Sequence, residues 1–222
     1  MNHCLLTLLA VSLIPGTLMG RTAVLQFVIL PGGGDTGPIE LLTGKGESIT
    51  IEASSQEVSK PYRVDRRGQW TVGKFESAAN GIRKFTEYGS AKSLATRHQL
   101  VILIRMGSTH ADGFKVIVAG NGLVQFGGGA YLLVNGSDKD IGARLGAEEL
   151  TIAPGEHGIV KPEAAAGRGT CHVQFSYRKM DKMKPFLSTN WPVNANTRGL
   201  ICFHTDPETK RLGIHSIRDF VK

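Results

Sequence analysis

Residues 130–161 read AYLLVNGSDKDIGARLGAEELTIAPGEHGIVK, and this stretch decides the fold class of the chain. It contains four short apolar runs separated by polar, glycine-bearing segments, the pattern of short β-strands joined by tight turns. Pro154 and Gly155 suit the central positions of a type II turn, because proline presets φ at about −65° and glycine accepts a positive φ. The stretch predicts a β-meander that carries no chemistry of its own.

The composition extends this prediction to the whole chain. The sequence has 222 residues, of which 41% are hydrophobic and 20% charged, and it contains 28 glycines. Those proportions are globular, while the glycine content is well above the average of about 7%, which favours many turns over helices. We therefore predict an all-β protein made of two antiparallel β-sandwich-like, immunoglobulin-like halves.

A polar segment suggests where the two halves meet. Strand-like runs fill the chain from Thr22 to Phe75, and a second series opens with the aliphatic run Leu100–Ile104. Between them, residues 76–99 are polar, and the three-residue spacing of Ile82, Phe85 and Tyr88 fits a helical turn or a lid-like loop. The predicted domains are an N-terminal β domain over residues 21–98 and a C-terminal β-sandwich over residues 99–222.

The first twenty residues predict where the protein is located. Residues 4–20 form an apolar run about as long as a signal-peptide core, broken by Pro15 and Gly16, and they contain no charged side chain. The run is short for a membrane span, which needs ~20 apolar residues. We expect a signal peptide over residues 1–20 and export to the periplasm or the extracellular space. An uncleaved N-terminal anchor is the alternative.

The charge leaves several partners open. The net charge is +7, with basic residues concentrated at 63–67, 178–184 and 210–211 and acidic residues between these groups. No recognised nucleic-acid fold accompanies them, so nucleic acid is an unlikely partner. An electrostatic binder of anionic polymer predicts instead that the first two groups lie on one face of the protein.

Two cysteines remain after a cleaved leader. Cys171 and Cys202 each lie within a predicted strand, and an oxidising compartment permits a disulfide between them. Buried free cysteines are also common, because a thiol behaves as a small hydrophobic group. Both interpretations stay open at this point.

Few motifs typical of enzymes or of cofactor-binding proteins occur in the sequence. The spacing of Gly32, Gly34 and Gly37 after a strand is dinucleotide-like, but no helix follows to receive a phosphate. The chain has no G-x-S-x-G motif. Cys202 and His204 share a strand face, although that pair is more simply explained by packing. We therefore expect no catalytic residue and no cofactor.

Histidines give no metal motif. His172, His204 and His215 all lie on predicted C-terminal strands, yet none has the short ligand spacing that preorganises a metal site. We therefore expect no metal.

A ligand site, if present, is expected around the segment from Trp191 to Arg198. Tryptophan and arginine together mark interaction surfaces, and Asp206 lies near the same segment in sequence. The competing interpretations are core packing for the tryptophan and a surface ion pair for Arg198 with Asp206. The candidate ligand-binding residues are Trp191, Arg198 and Asp206.

The second half also resembles a group of known sequences. The segments are YLLVNGSDKDIGARLG at 131–146, ELTIAPGEHGIVKP at 149–162, NWP at 190–192, TRGLICFHTDPETKR at 197–211 and IHSIRD at 214–219. Over about residues 100–220 they resemble exported bacterial β-sandwich proteins that have no established function. The resemblance implies export and β architecture, and it brings no catalytic residue with it.

Together these observations predict an exported, non-enzymatic binding or structural module of the cell envelope. Its partner would be an envelope protein or glycan, and the mature chain would have no transmembrane span. The alternative from another class is a hydrolase of extracellular or periplasmic polysaccharide. Its acid and base would lie within residues 76–99 or around Trp191.

Overall fold

The computed structural model describes residues 22–30, 38–77, 83–107, 113–164 and 169–221. Within these ranges all regular structure is β-strand, which confirms the all-β prediction. The sixteen strands are β1 Thr22–Leu30, β2 Ile39–Gly44, β3 Glu47–Ile51, β4 Tyr62–Asp65, β5 Gln69–Ser77, β6 Arg83–Lys92, β7 His98–Arg105, β8 Phe114–Gly120, β9 Tyr131–Asn135, β10 Ile141–Leu145, β11 Glu148–Ile152, β12 His157–Val160, β13 Thr170–Lys179, β14 Lys182–Pro192, β15 Thr197–Thr205 and β16 Leu212–Phe220.

The predicted signal segment, residues 1–20, and the glycine-rich segment 31–37 lie outside the described residues. Across the ranges that are described, no helix has the length and apolar character needed to cross a membrane.

The strands form four sheets of four strands each. Sheet A has the order β4-β1-β7-β8 and sheet B the order β3-β2-β5-β6. Sheet C has the order β12-β9-β15-β16 and sheet D the order β11-β10-β13-β14. Sheets A and B make one sandwich-like half and sheets C and D the other, as the sequence predicts.

The two halves share one topology. Adding eight to every strand number converts sheet A into sheet C and sheet B into sheet D. The correspondence includes the parallel pairs, since β1 runs parallel to β7 and β9 runs parallel to β15. The sheets at the centre of the molecule are therefore mixed, whereas the sequence predicted antiparallel pairing alone.

The sandwiches also pack on each other, which gives a stack of four layers in the order B, A, C, D. Along β7, Val101 and Leu103 belong to the core shared with sheet B, while Leu100 and Ile102 belong to a core shared with sheet C. A third core lies between sheets C and D. Strands β1 and β7 are thus buried on both faces, which explains why their sequences are nearly continuous in apolar residues.

The stretch 130–161 folds differently from the predicted meander. Its four short strands are present as β9 to β12, and Gly155 has φ +87° in the predicted turn. However, β10 pairs with β11 in sheet D, whereas β9 pairs with β12 in sheet C. The stretch therefore bridges two layers instead of lying in one sheet.

The predicted domain boundary also needs correction. Residues 98–105 form β7, which pairs with β1 and completes sheet A, so a boundary after residue 98 would divide that sheet. The chain passes from one sandwich to the other between Gly120 and Tyr131. Most of the polar segment 76–99 is neither helical turn nor lid, because β6 pairs with β5 along its length.

Of the two interpretations of the cysteines, the structure has the free thiols and not the disulfide. Cys171 and Cys202 are both buried free thiols. Cys202 lies in the core between sheets A and C, while Cys171 lies in the core between sheets C and D. Sheet C separates them, so a bridge is incompatible with this fold. Burial raises the pKa of each thiol, which keeps both protonated at neutral pH.

One buried amide organises the core of the first sandwich. The side chain of Gln99 is fully buried, and its Oε1 accepts hydrogen bonds from Trp70 Nε1 at 2.8 Å and from the Leu94 amide at 3.1 Å. Its Nε2 donates to the carbonyls of Leu94 at 3.0 Å and Thr96 at 2.9 Å. Both acceptor lone pairs and both N–H groups of this side chain are thereby used.

We expect Gln99→Leu to destabilise the protein by about 2–4 kcal/mol, because the indole N–H of Trp70 and the amide of Leu94 lose their acceptor in a buried site. Urea unfolding followed by circular dichroism measures the change. Gln69→Leu, at an exposed position of β5, is the matched control and should change stability by less than about 0.5 kcal/mol. Equal effects of the two substitutions would contradict this role for Gln99.

Candidate functional site

A cleft of about 300 Å³ opens at one end of the second sandwich, between the end of β14 and the sheet that contains β15 and β16. It lies at the small end of the range for ligand sites. The residues that line it are Gly129, Tyr131, Trp191, Pro192, Asn194, Thr197, Arg198, Gly199, Ile201, Ser216, Ile217 and Arg218.

Two aromatic side chains form one wall of the cleft. The rings of Tyr131 and Trp191 lie 5.2 Å apart with 34° between their planes, and Trp191 also packs edge-on against Phe175 at 5.5 Å. The Tyr131 hydroxyl donates a hydrogen bond of 2.9 Å to the carbonyl of Pro192, which ties the end of β14 to β9. Both rings are half-buried, so each presents part of its surface to the cleft. We call Tyr131 and Trp191 the aromatic shelf.

A glycine makes room for this shelf. A Cβ atom on Gly199 would lie 2.4 Å from Cδ1 of Tyr131, so the tyrosine ring rests directly on the backbone of β15. Gly199 pairs with Tyr131 across the parallel strands, as Gln99 pairs with Leu25 in the first half. When β7 and β15 are aligned on Leu100 and Leu200, Gln99 therefore corresponds to Gly199.

This correspondence explains why the two halves differ. In the first sandwich the Gln99 amide and the Trp70 indole fill the space above the strand. In the second sandwich the glycine provides no side chain at that position, and the Tyr131 ring occupies the space beside the cleft instead.

Arg198, one of the candidate ligand-binding residues, lines the cleft, but its charge is paired within the protein. It is 7% exposed, and its Nε and Nη2 atoms donate to Asp219 at 2.8 and 2.7 Å. Its Nη1 donates to the Phe126 carbonyl at 3.0 Å, and the guanidinium lies 4.6 Å from the Phe126 ring centre. Arg198, which lies in β15, therefore links β16 to Phe126 in the segment that joins the two sandwiches.

Asp206 lies elsewhere. Its carboxylate accepts hydrogen bonds from the Thr209 amide at 2.6 Å and the Glu208 amide at 3.0 Å, which shapes the turn between β15 and β16. These hydrogen bonds, chiefly those from Thr209, lower the pKa of Asp206. Eight residues of extended strand, about 25 Å, separate it from Arg198. Of the three candidate residues, Trp191 and Arg198 line the cleft and Asp206 does not.

A second arginine, Arg218, also lines the cleft, and it was not among the candidate ligand-binding residues predicted from the sequence. It is exposed, and it has no ion-pair partner among the residues that the structure describes. Arg218 lowers the pKa of Tyr131, although burial has the larger effect and raises it overall. The available signal was the alternation in β16, where Ser216 and Arg218 share a face with Leu212 and Ile214.

The lining limits the chemistry of the cleft. Among the described residues that line it there is no Asp, Glu or His, so hydroxyl groups such as those of Thr197 and Ser216 have no general base beside them. No group of His, Cys, Asp and Glu suited to a metal ion occurs in the described part of the chain. The arrangement can hold a ligand by stacking, hydrogen bonding and one positive charge.

Comparison of the chain with protein-family models and with curated proteins gives no match. The case for a function therefore depends on the geometry of the cleft.

We expect Gly199→Ala to cost about 1–3 kcal/mol, because the added methyl group displaces the Tyr131 ring from a well-packed position. Urea unfolding measures the loss, and a shift in the emission of Trp191 reports the moved ring. Gly68→Ala is the control, since a Cβ atom there meets no atom within 4 Å. Wild-type stability and emission for Gly199→Ala would show that the shelf does not need this glycine.

Proposed function

We propose that the protein is an exported, non-enzymatic binding module of the cell envelope, and that the cleft at the aromatic shelf is its binding site. The observation that carries the proposal is that one concave site combines the half-buried Tyr131 and Trp191 rings with Arg218, which has no ion-pair partner in the described part of the chain. Aromatic residues and arginine are enriched where proteins recognise partners.

The aromatic shelf is held rigidly before any ligand arrives. The hydrogen bond from Tyr131 to Pro192 and the contact of Trp191 with Phe175 fix both rings. A rigid aromatic surface loses little conformational freedom on binding, which favours affinity. The shelf is thus suited to recognition without further rearrangement.

A polysaccharide hydrolase is less well supported. Glycosidases use two carboxyl groups that flank the scissile bond, and the described lining of the cleft contains none. Asp219 follows the lining residue Arg218 in the chain, but its carboxylate already accepts two hydrogen bonds from Arg198. The other segment proposed for an acid and base, residues 76–99, contains the half-buried edge strand β6, in which the Glu87 carboxylate accepts a hydrogen bond from the Ser90 hydroxyl.

An electrostatic binder of anionic polymer is also less well supported. The basic group at 63–67 follows the edge of sheet A, while the group at 178–184 forms the hairpin of β13 and β14 in sheet D. Sheet C lies between these two sheets. A whole layer of the stack thus separates the two groups, which counts against one continuous basic surface of the kind that such a partner needs.

The binding role predicts that Trp191→Ala reduces retention of the protein on envelope material by about ten-fold or more, since a central aromatic contact is worth about 2 kcal/mol or more. Co-sedimentation with purified peptidoglycan and with solubilised envelope proteins measures retention. Phe220→Ala removes an exposed aromatic residue that is not in the cleft lining and serves as control. Equal retention of all three proteins would exclude the cleft as the site, and release of reducing sugar ends would favour the hydrolase.

Export is tested separately. When the full chain is expressed in a bacterial host, we expect recovery in the periplasmic fraction with a new N-terminus near residue 21. Fractionation followed by N-terminal sequencing measures both. A chain that keeps residues 1–20 and sediments with membranes would support the anchored alternative, and a cytoplasmic chain would contradict export.

A further inference from the structure

The seam beside the cleft differs between the two sandwiches. In the first, β6 and β8 touch, since a Cβ atom on Gly89 would lie 2.4 Å from the Phe114 carbonyl oxygen and the Tyr88 and Phe114 rings lie 6.4 Å apart. The corresponding strands of the second sandwich are β14 and β16. The cleft opens between them where the first sandwich is closed.

The open seam exposes the backbone of an edge strand. Within the described strands, β16 is hydrogen-bonded only to β15 and β14 only to β13. The nine residues of β16 present about 30 Å of edge, with a row of N–H and C=O groups available for pairing. Three of them, Ser216, Ile217 and Arg218, line the cleft, so the edge and the site are continuous.

The positive charge of Arg218 favours a negatively charged occupant of the seam. Arg218 is exposed without an ion-pair partner among the described residues, and the described lining contains no carboxylate. The guanidinium can therefore form a bidentate contact with a carboxylate supplied from outside. A cationic group beside Arg218 would be repelled by the guanidinium.

We propose that the seam between β14 and β16 binds an extended, acidic peptide segment of a partner protein, which adds to sheet C as a strand along β16. In such a strand, alternate side chains face the same way and are about 7 Å apart. One apolar side chain packs on the aromatic shelf and a neighbouring carboxylate on that face reaches Arg218. Backbone pairing supplies affinity and the two side chains supply selectivity, as in other cases of strand addition.

This proposal rests on the binding role of the cleft and goes further by naming the class of partner. A glycan could stack on the aromatic shelf, but it would not pair with the row of backbone groups along β16. A second copy of the chain could pair along β16, and light scattering distinguishes that outcome.

The probes are four nine-residue peptides of the pattern TXTETXTET, with Val, Leu, Phe or Trp at X and blocked termini. In a strand, X and Glu share one face and Thr occupies the other. Fluorescence of Trp191 follows binding of the first three, because Trp70 is only 1% exposed and is shielded from the ligand. Calorimetry follows the tryptophan-bearing peptide.

We expect saturable binding of at least one probe and about ten-fold or weaker binding when Glu is replaced by Lys. Methylation of alternate backbone amides in the probe should weaken binding by about ten-fold or more, because it removes strand pairing. Arg218→Glu should reverse the preference between Glu and Lys probes. Arg63→Glu, the same charge change at an exposed position of β4, should leave both affinities unchanged.

Three results would overturn the proposal. They are no binding of any probe up to about 1 mM, equal binding of methylated and unmethylated probes, and dimerisation of the protein through this edge. If peptidoglycan retention still depends on Trp191 while the probes fail, the binding role of the cleft stands and only the peptide assignment falls. If Trp191→Ala changes neither retention nor probe binding, both proposals fail.

Discussion

Burial of the parallel pair β1 and β7 on both faces is the constraint on which the rest of the structure depends. A sheet in an ordinary sandwich covers one face and leaves the other to water, so it alternates apolar and polar residues. Without sheet C, Leu100 and Ile102 of β7 would be exposed to water. Without sheet B, Val101 and Leu103 would be exposed in the same way. Each such side chain contributes about 1.5–3 kcal/mol when buried. The second sandwich is therefore a structural requirement of the first.

The fold class was predictable because it depends on local patterns. Continuous apolar runs such as Leu100–Ile104 and the turn at Pro154–Gly155 carry their structure in a few neighbouring residues. Pairing was not predictable in the same way. Nothing local distinguishes β9 pairing with β10 from β9 pairing with β12, and the outcome depends on which layer each strand joins. The repeated topology is visible only once these pairings are known.

The candidate site shows the same division. Trp191 could be selected from the sequence because an aromatic residue beside a turn is a local feature. Arg198 was also selected, but its burial against Asp219 depends on a strand that arrives later in the chain. Arg218 was not selected because its lack of an ion-pair partner among the described residues depends on the fold. Gly199 carried no signal, since its meaning comes from comparison with Gln99 at the corresponding place in the other half.

The parallel pairs also set the order in which the protein can fold. Val24 pairs with His98 and Tyr131 with Gly199, so each central contact joins residues about 70 positions apart. Closing such loops costs chain entropy before any contact compensates for it, and folds dominated by such contacts form slowly. The centre of sheet A cannot form until nearly half the chain has emerged, and its second face stays uncovered until sheet C is complete. Because the central contacts join distant residues, we expect this chain to fold most efficiently when it stays unfolded until its last strands are available for pairing.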